Sequence, residues 1–343
     1  MSAPAAPRRL GLALSNEVPV SATVALARQA EQLGLDEVWL PESGHGRGVF
    51  TVAAQVAAAT SRIKIGVGIV NPFWRHPSVI AMEAATLDEA SRGRVLLGVG
   101  AALWTLRALG EADDRSERPL TAMVESIRIV RSMLRGERGV DGQVFSVRAE
   151  AHLDFPRFRA AIPVYVGAVN GRMLRASGAW ADGVQLGAIA SPGYVRWSRD
   201  QIARGARAAG RDPAEVDLVS NVLVSVDPDR RAARDAVRSV LAYYIHRVEP
   251  VVLSTAGADQ REVQRVRLTV IQDGLEAGAE LVTDGLIDAF AAAGDPDDVT
   301  TRLQEYARAG LRGILAWHVI GPQPDKARAL ELLAREVRAR VFA

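Results

Sequence analysis

The sequence predicts a (β/α)8 barrel of the TIM type, with a helical insertion between its seventh and eighth strands. Three observations lead there. Eight short apolar runs alternate with longer segments whose apolar residues recur at helical spacing. The chain has 343 residues, 48% of them hydrophobic, enough for one large core. The main rival, a doubly wound sheet, would open on a glycine-rich phosphate turn, and Ser15-Asn16-Glu17-Val18-Pro19 follows the first run instead.

The first run is Leu10 to Leu14. An amphipathic segment follows from Ser21 to Leu33, with Val24, Ala27, Ala30 and Leu33 on one face and Ser21 placed to cap it. Gly34 ends that helix, and Asp36 to Leu40 is the second run. Phe50 to Thr60 reads as helix, Ile63 to Ile69 as the third run, and Pro77 to Ala90 as a helix with proline in its first turn. Arg94 to Val99 is the fourth run, and Pro119 to Leu134 the next helix. Residues 141–156 alternate loosely among turn residues and read as a small excursion. Pro163 to Gly167, Gly183 to Leu186, Val216 to Val226 and Ile314 to Trp317 are the remaining runs. Helices are expected at Met173 to Trp180, Pro192 to Ala209, residues 297–308 and Pro324 to Val341. Asp295 and Pro296 read as the cap and first turn of the 297–308 helix.

Residues 230–293 are almost entirely helical in pattern and far longer than a plain crossover. They are expected to lean over the barrel mouth as an insertion within one domain spanning 1–343. No linker, short repeat or low-complexity tract divides the chain.

Lys+Arg number 42 and Asp+Glu 40, for a formal charge of +2. That balance gives no broad basic field, so nucleic acid is not the expected partner. With no cysteine, disulfides, iron–sulfur clusters and thiolate zinc sites are excluded. No apolar run is long enough to span a bilayer, and Met1 to Arg9 is too short and polar for a secretory leader. The expectation is a cytoplasmic protein with no membrane partner.

In such barrels chemistry sits at the carboxyl ends of the strands. That rule selects Glu42 and His45 after the second run, and Asn71 and His76 after the third. It also selects Gly100 and Ala101 after the fourth run, Gly167 and Ala168 after the fifth, and Gly187 after the sixth. Gly68, Gly100, Gly167 and Gly187 fall at one mouth. Any one of them fits a tight turn, but together they favour a large planar cofactor lying against backbone. Asn170-Gly171-Arg172 opens a helix and could hold an anion, or could be a plain turn before a solvated arginine. Glu42 either holds its loop or moves a proton. His45, His76 and His318 all end strand runs, yet no ligand spacing or defined carboxylate partner accompanies them. Catalytic or binding roles are expected for them, and no metal.

Two stretches resemble the luciferase-like group of flavin and deazaflavin enzymes. They are IKIGVGIVNPFWRHPSVIAMEAATLDEASRGRVLLGVG, from Ile63 to Gly100, and IPVYVGAVNGRMLRASGAWADGV, from Ile162 to Val184. They are most similar to the branch that contains methylenetetrahydromethanopterin reductase. The resemblance implies a barrel with an insertion near strand seven, and a third-strand bulge with a non-proline cis bond at Gly68–Ile69 against the cofactor ring. It implies coenzyme F420 as cofactor, FMN being the alternative. Cofactor contacts would then fall to Gly68, Ile69, Asn71, Gly100, Ala101, Gly167, Ala168 and Gly187, with Asn170, Gly171 and Arg172 nearer its phosphate end. Glu42, His45 and His76 would be the candidate catalytic groups.

The implied activity is hydride transfer between F420 and a small organic substrate by a homodimer. An FMN-dependent monooxygenase fed by a separate reductase, and a barrel that has lost its site, are the alternatives. Ala13, Ser43 and Leu103 stand where the resemblance implies glutamate, histidine and glutamate, departures that count against pterin and sugar phosphate substrates.

Overall fold

A computed structural model describes residues 8–42, 46–103, 117–317 and 326–342, together with Leu106 and Gly110. Its barrel strands are β1 (Arg9–Ala13), β2 (Glu37–Leu40), β3 (Lys64–Val70), β4 (Val95–Val99), β5 (Val164–Gly167), β6 (Gly183–Leu186) and β7 (Asp217–Val226), closed by β9 (Gly313–Trp317). All neighbours pair in parallel, with β6 on β7, β7 on β9 and β9 on β1 completing the circle. Between them run α1 (Val20–Gln32), α2 (Val49–Ala59), α3 (Pro77–Ala90), α4 (Pro119–Arg135), α5 (Gly171–Trp180) and α6 (Pro192–Ala208).

Two features differ from the sequence reading. Helix α1 starts one residue before Ser21, with Pro19 at the cap and no side-chain cap bond, because proline's fixed φ already presets the entry. A ninth strand, β8 (Ala291–Gly294), follows the segment from Arg230 to Phe290, which folds as six short helices, α7 to α12. Alanines continue a helix by local propensity, but here they pair with Leu223 to Val226, the far half of β7. Helix α13 (Pro296–Ala309) then starts on a capping box between Asp295 and Asp298, as expected. The chain closes with α14 (Lys326–Leu332), which runs on through a π turn to Val341.

Strand alternation decides what fills the lumen. Trp39, Leu96, Tyr165, Val219 and Leu315 pack together inside the barrel, with Ala13 against them. Trp39 meets Tyr165 edge to face at 5.2 Å. The two large rings leave no room for side chains opposite. A Cβ on Gly66 would lie 2.1 Å from the Trp39 indole, and one on Gly183 2.3 Å from the Tyr165 ring. Below the rings, the lower end of the lumen is charged. Arg9 reaches Glu37 at 3.3 Å and also pairs with Asp217, which accepts a 2.6 Å hydrogen bond from the Tyr165 hydroxyl. Glu37 is fully buried, and burial raises its pKa against the pull of the Arg9 charge.

Two of the quoted motifs serve architecture. In Ser91-Arg92-Gly93-Arg94, the guanidinium of Arg94 donates to the carbonyls of Ala57, Thr60, Ile63 and Ser91 and to the Thr60 hydroxyl. Arg92 and Gly93 take positive φ to aim it. Asp88, 1% exposed, takes two 2.8 Å bonds from Arg159 and anchors the segment that follows the 141–156 excursion to α3.

Candidate active site

The third strand carries one residue too many. From Val67 to Val70 it advances three positions while β4 advances two, from Leu97 to Val99. The peptide bond between Gly68 and Ile69 in that bulge is cis. The extra residue turns Ile69 inward together with Gly68. Its side chain occupies the hollows at Gly100 and Gly167, where a Cβ would lie 2.5 and 2.8 Å from it. Three of the four mouth glycines therefore seat protein atoms, since Gly68 itself faces the Trp39 ring and Gln185. Gly187 differs, because nothing lies within 4 Å of a Cβ there.

The loop after β3 is tied from every side. Asn71 is buried, and its side chain donates to the Ala101 carbonyl at 2.9 Å and accepts from the Phe73 amide at 2.9 Å. Its own backbone amide donates to Glu42 at 3.3 Å. Glu42 is also ion-paired with Arg75, which bridges to Glu83 at 2.7 Å and lies over the Phe50 ring. Burial, with the Glu42 charge, raises the pKa of Glu83 against the pull of Arg75. His76 caps α3: its Nδ1 accepts from the Ser78 amide and lies 2.8 Å from the Ser78 hydroxyl, while its ring meets Phe145 edge-on. Glu42, Asn71 and His76 thus have protein partners that hold the loop in place.

On the β5 side, the Ala168 amide donates to the Gln185 carbonyl. Asn170 caps α5 through Met173, so Gly171 and Arg172 stand in its exposed first turn. Tyr194 donates to the Val169 carbonyl at 2.7 Å and braces this end. His45 and His318 lie outside the described residues.

Sequence reasoning missed several mouth residues. Gln185 and Asn221 point inward from β6 and β7, Trp317 ends β9, and Tyr244 crosses Trp317 at 4.8 Å from α8 (Arg238–Ile245). Burial lifts the Tyr244 hydroxyl to about 12, with Tyr243 and Glu17 adding to the effect. Strand parity was the available signal for Gln185 and Asn221. For Tyr244 there was none, because its place depends on how the helices after β7 fold back.

The luciferase-like monooxygenase family profile matches residues 4–313. The chain belongs to the luciferase-like monooxygenase family. It is 33% identical to a 5,10-methylenetetrahydromethanopterin reductase of Methanolobus tindarius over 93% of this chain and 96% of that one. It is 30% identical to an F420-dependent glucose-6-phosphate dehydrogenase of Rhodococcus erythropolis over 93% of each. The solved structure of the F420-dependent tetrahydromethanopterin reductase of Methanopyrus kandleri superposes with a TM-score of 0.88 at 29% identity, covering 97% and 99% of the two chains.

Membership in this family makes a planar ring the ligand against which to test the mouth. The residues present fit one. The bulge has an inward glycine, the space at Gly187 is open, and the Gln185 side-chain oxygen is enclosed without a hydrogen-bond partner. Arg172 stands exposed at the start of α5, where an anionic tail would meet helix amides.

Proposed function

We propose that the chain is an F420-dependent oxidoreductase that moves hydride between the deazaflavin and a small organic substrate at the carboxyl mouth of the barrel. One observation carries the reading: its likeness to F420-linked enzymes runs over more than nine-tenths of both chains at 30–33% identity. When bound, the deazaflavin supplies a ring carbon that gives or takes hydride.

The protein's part is placement. Gly68 and Ile69 would form the surface for the ring, and Gly100 and Gly167 support that surface by admitting the Ile69 side chain. Asn71, Glu42 and Arg75 fix the loop beyond it, so that the bulge holds its position without reorganisation. Asn170, Gly171 and Arg172 take the anionic end of the cofactor. On the opposite wall, β7 and β9 face β3 across the barrel, and Trp317 with Tyr244 offers an aromatic surface for the substrate. Ala13 pairs with Trp317 in register, so that side of the mouth is apolar. This suits a neutral substrate better than a phosphorylated one. His45 keeps its proposed catalytic role, and the chain is proposed to work as a homodimer in the cytoplasm.

The test is direct titration of purified protein with F420 and with FMN, followed by fluorescence. F420 binding is expected, together with oxidation of reduced F420 by a member of a panel of ketones and imines under nitrogen. FMN binding with oxygen uptake would replace this reading with the monooxygenase one, and binding of neither would remove both. Light scattering at micromolar concentration decides the dimer.

A further inference from the structure

We propose that the side-chain amides of Gln185 and Asn221 are a recognition pair at the floor of the mouth, built to hydrogen-bond the imide edge of a planar heterocycle. The inference deepens the functional reading above and rests on it for the source of that ring.

Gln185 is 6% exposed, and its side-chain oxygen is enclosed without a partner. On the next strand the Asn221 side-chain oxygen is enclosed and unpartnered too. An unpaired buried carbonyl is costly, and buried polar side chains ordinarily find partners. Two unmet side-chain oxygens on adjacent strands of one lumen therefore need a common explanation.

Their position supplies it. Gln185 pairs in register with Val219 and with Gly167, both on the lumen side. Its oxygen lies 2.6 Å from where a Gly68 Cβ would be, directly against the bulge. Asn221 pairs with Leu315, another lumen residue. Extending the β6–β7 register by two residues brings Gly187 beside Asn221, and Gly187 is the mouth glycine with open space at its Cβ. The amides thus border the open space beside Gly187. In the layer beneath, Trp39 presents ring carbons to the Gly68 position beside the Gln185 oxygen, and the Tyr165 hydroxyl is engaged with Asp217.

A carboxamide presents one acceptor and two donors and no charge. Two of them match an edge that alternates carbonyl, N–H and carbonyl, with one oxygen accepting from the ring N–H and the NH2 groups donating to the carbonyls. They suit a neutral ring edge better than an ion, which would need a compensating charge. That imide edge is common to F420 and FMN, so the pair reads the ring and leaves the choice of cofactor to other residues.

The experiment uses Gln185→Met and Asn221→Leu in the full chain, with Asn221→Ser as a milder form should the leucine variant fold poorly. Thermal midpoints are measured without cofactor. Affinities are measured for F420, for FMN and for lumichrome, which carries the imide edge and no tail. The midpoints are expected to hold or rise, because an unmet amide has been removed. Affinity for lumichrome and for the bound cofactor is expected to fall tenfold or more per variant, about 1.4 kcal/mol for each tenfold. A fall in midpoint with unchanged affinities would make the amides structural and overturn the inference. Unchanged midpoint with unchanged affinity would assign them to water and overturn it equally. A native chain that binds lumichrome but neither cofactor leaves the recognition pair standing and removes the functional reading. Failure of the native chain to bind lumichrome overturns the pair.

Discussion

Replacing Arg9 by methionine tests the reading of the lower lumen. Arg9 is the positive partner of both Glu37, fully buried, and Asp217. Methionine fills a similar length without charge, and two carboxylates then face each other and Tyr165 in a closed space. Removing one partner of a buried pair costs about 3–5 kcal/mol. Unfolding entropy of ~2.1 cal/mol/K per residue gives roughly 0.7 kcal/mol/K for a chain of this size, so the midpoint should fall by roughly 4–7 °C.

The sign with pH is defined. Burial holds the Glu37 pKa above its unfolded value even with Arg9 present, and loss of Arg9 raises it further. The ionised form is therefore the destabilising one. The variant's deficit should be fully present above the raised folded pKa and shrink as pH falls through it toward the unfolded carboxylate range. Circular dichroism melts of both proteins at pH 5.5, 7 and 8.5 read this out. A variant within about 1 kcal/mol of native at pH 8.5 would refute the reasoning. So would a deficit that grows on acidification. Adding Glu37→Leu to Arg9→Met should recover part of the loss.

Gly66→Ala places a methyl 2.1 Å from the Trp39 indole, which Tyr165 pins, and should cost at least the ~1–3 kcal/mol of ordinary overpacking; a urea midpoint equal to native would count against the packed lumen. Arg94→Lys keeps the charge but cannot serve four carbonyls and a hydroxyl, so urea denaturation should show a loss of about 2–3 kcal/mol, and full rescue by lysine would refute that role. Arg172→Gln should weaken F420 binding by roughly fivefold to tenfold and flatten its salt dependence; titrations at two salt concentrations that match native would move the anionic end elsewhere.

The bulged stretch shows how sequence and structure divided the work. Gly66, Gly68, Asn71 and Pro72 in one run were enough to mark β3 as interrupted. Their neighbours were not visible. Gly100 and Gly167 looked like contacts for a flat ligand, yet their hollows hold Ile69, since a bulge turns two successive residues to the same side. Glu42 and His76 were legible as mouth residues, but their engagement with Arg75 and Ser78 is a matter of loop geometry. Gln185 passed unnoticed because an amide between Val184 and Leu186 reads as ordinary alternation until the lumen around it is known to be closed.

By itself the sequence determined the alternation of strands and helices, the cap at Asp295, the proline start of α3 at Pro77, and the absence of thiol chemistry. These depend on local periodicity, backbone preference and composition, which need no partner. Tertiary structure decided the ninth strand, the inward turn of Ile69, the buried charges around Arg9 and the open place beside Gly187. Each of those is set by what lies across the barrel, tens to hundreds of residues away along the chain, where no local pattern reaches.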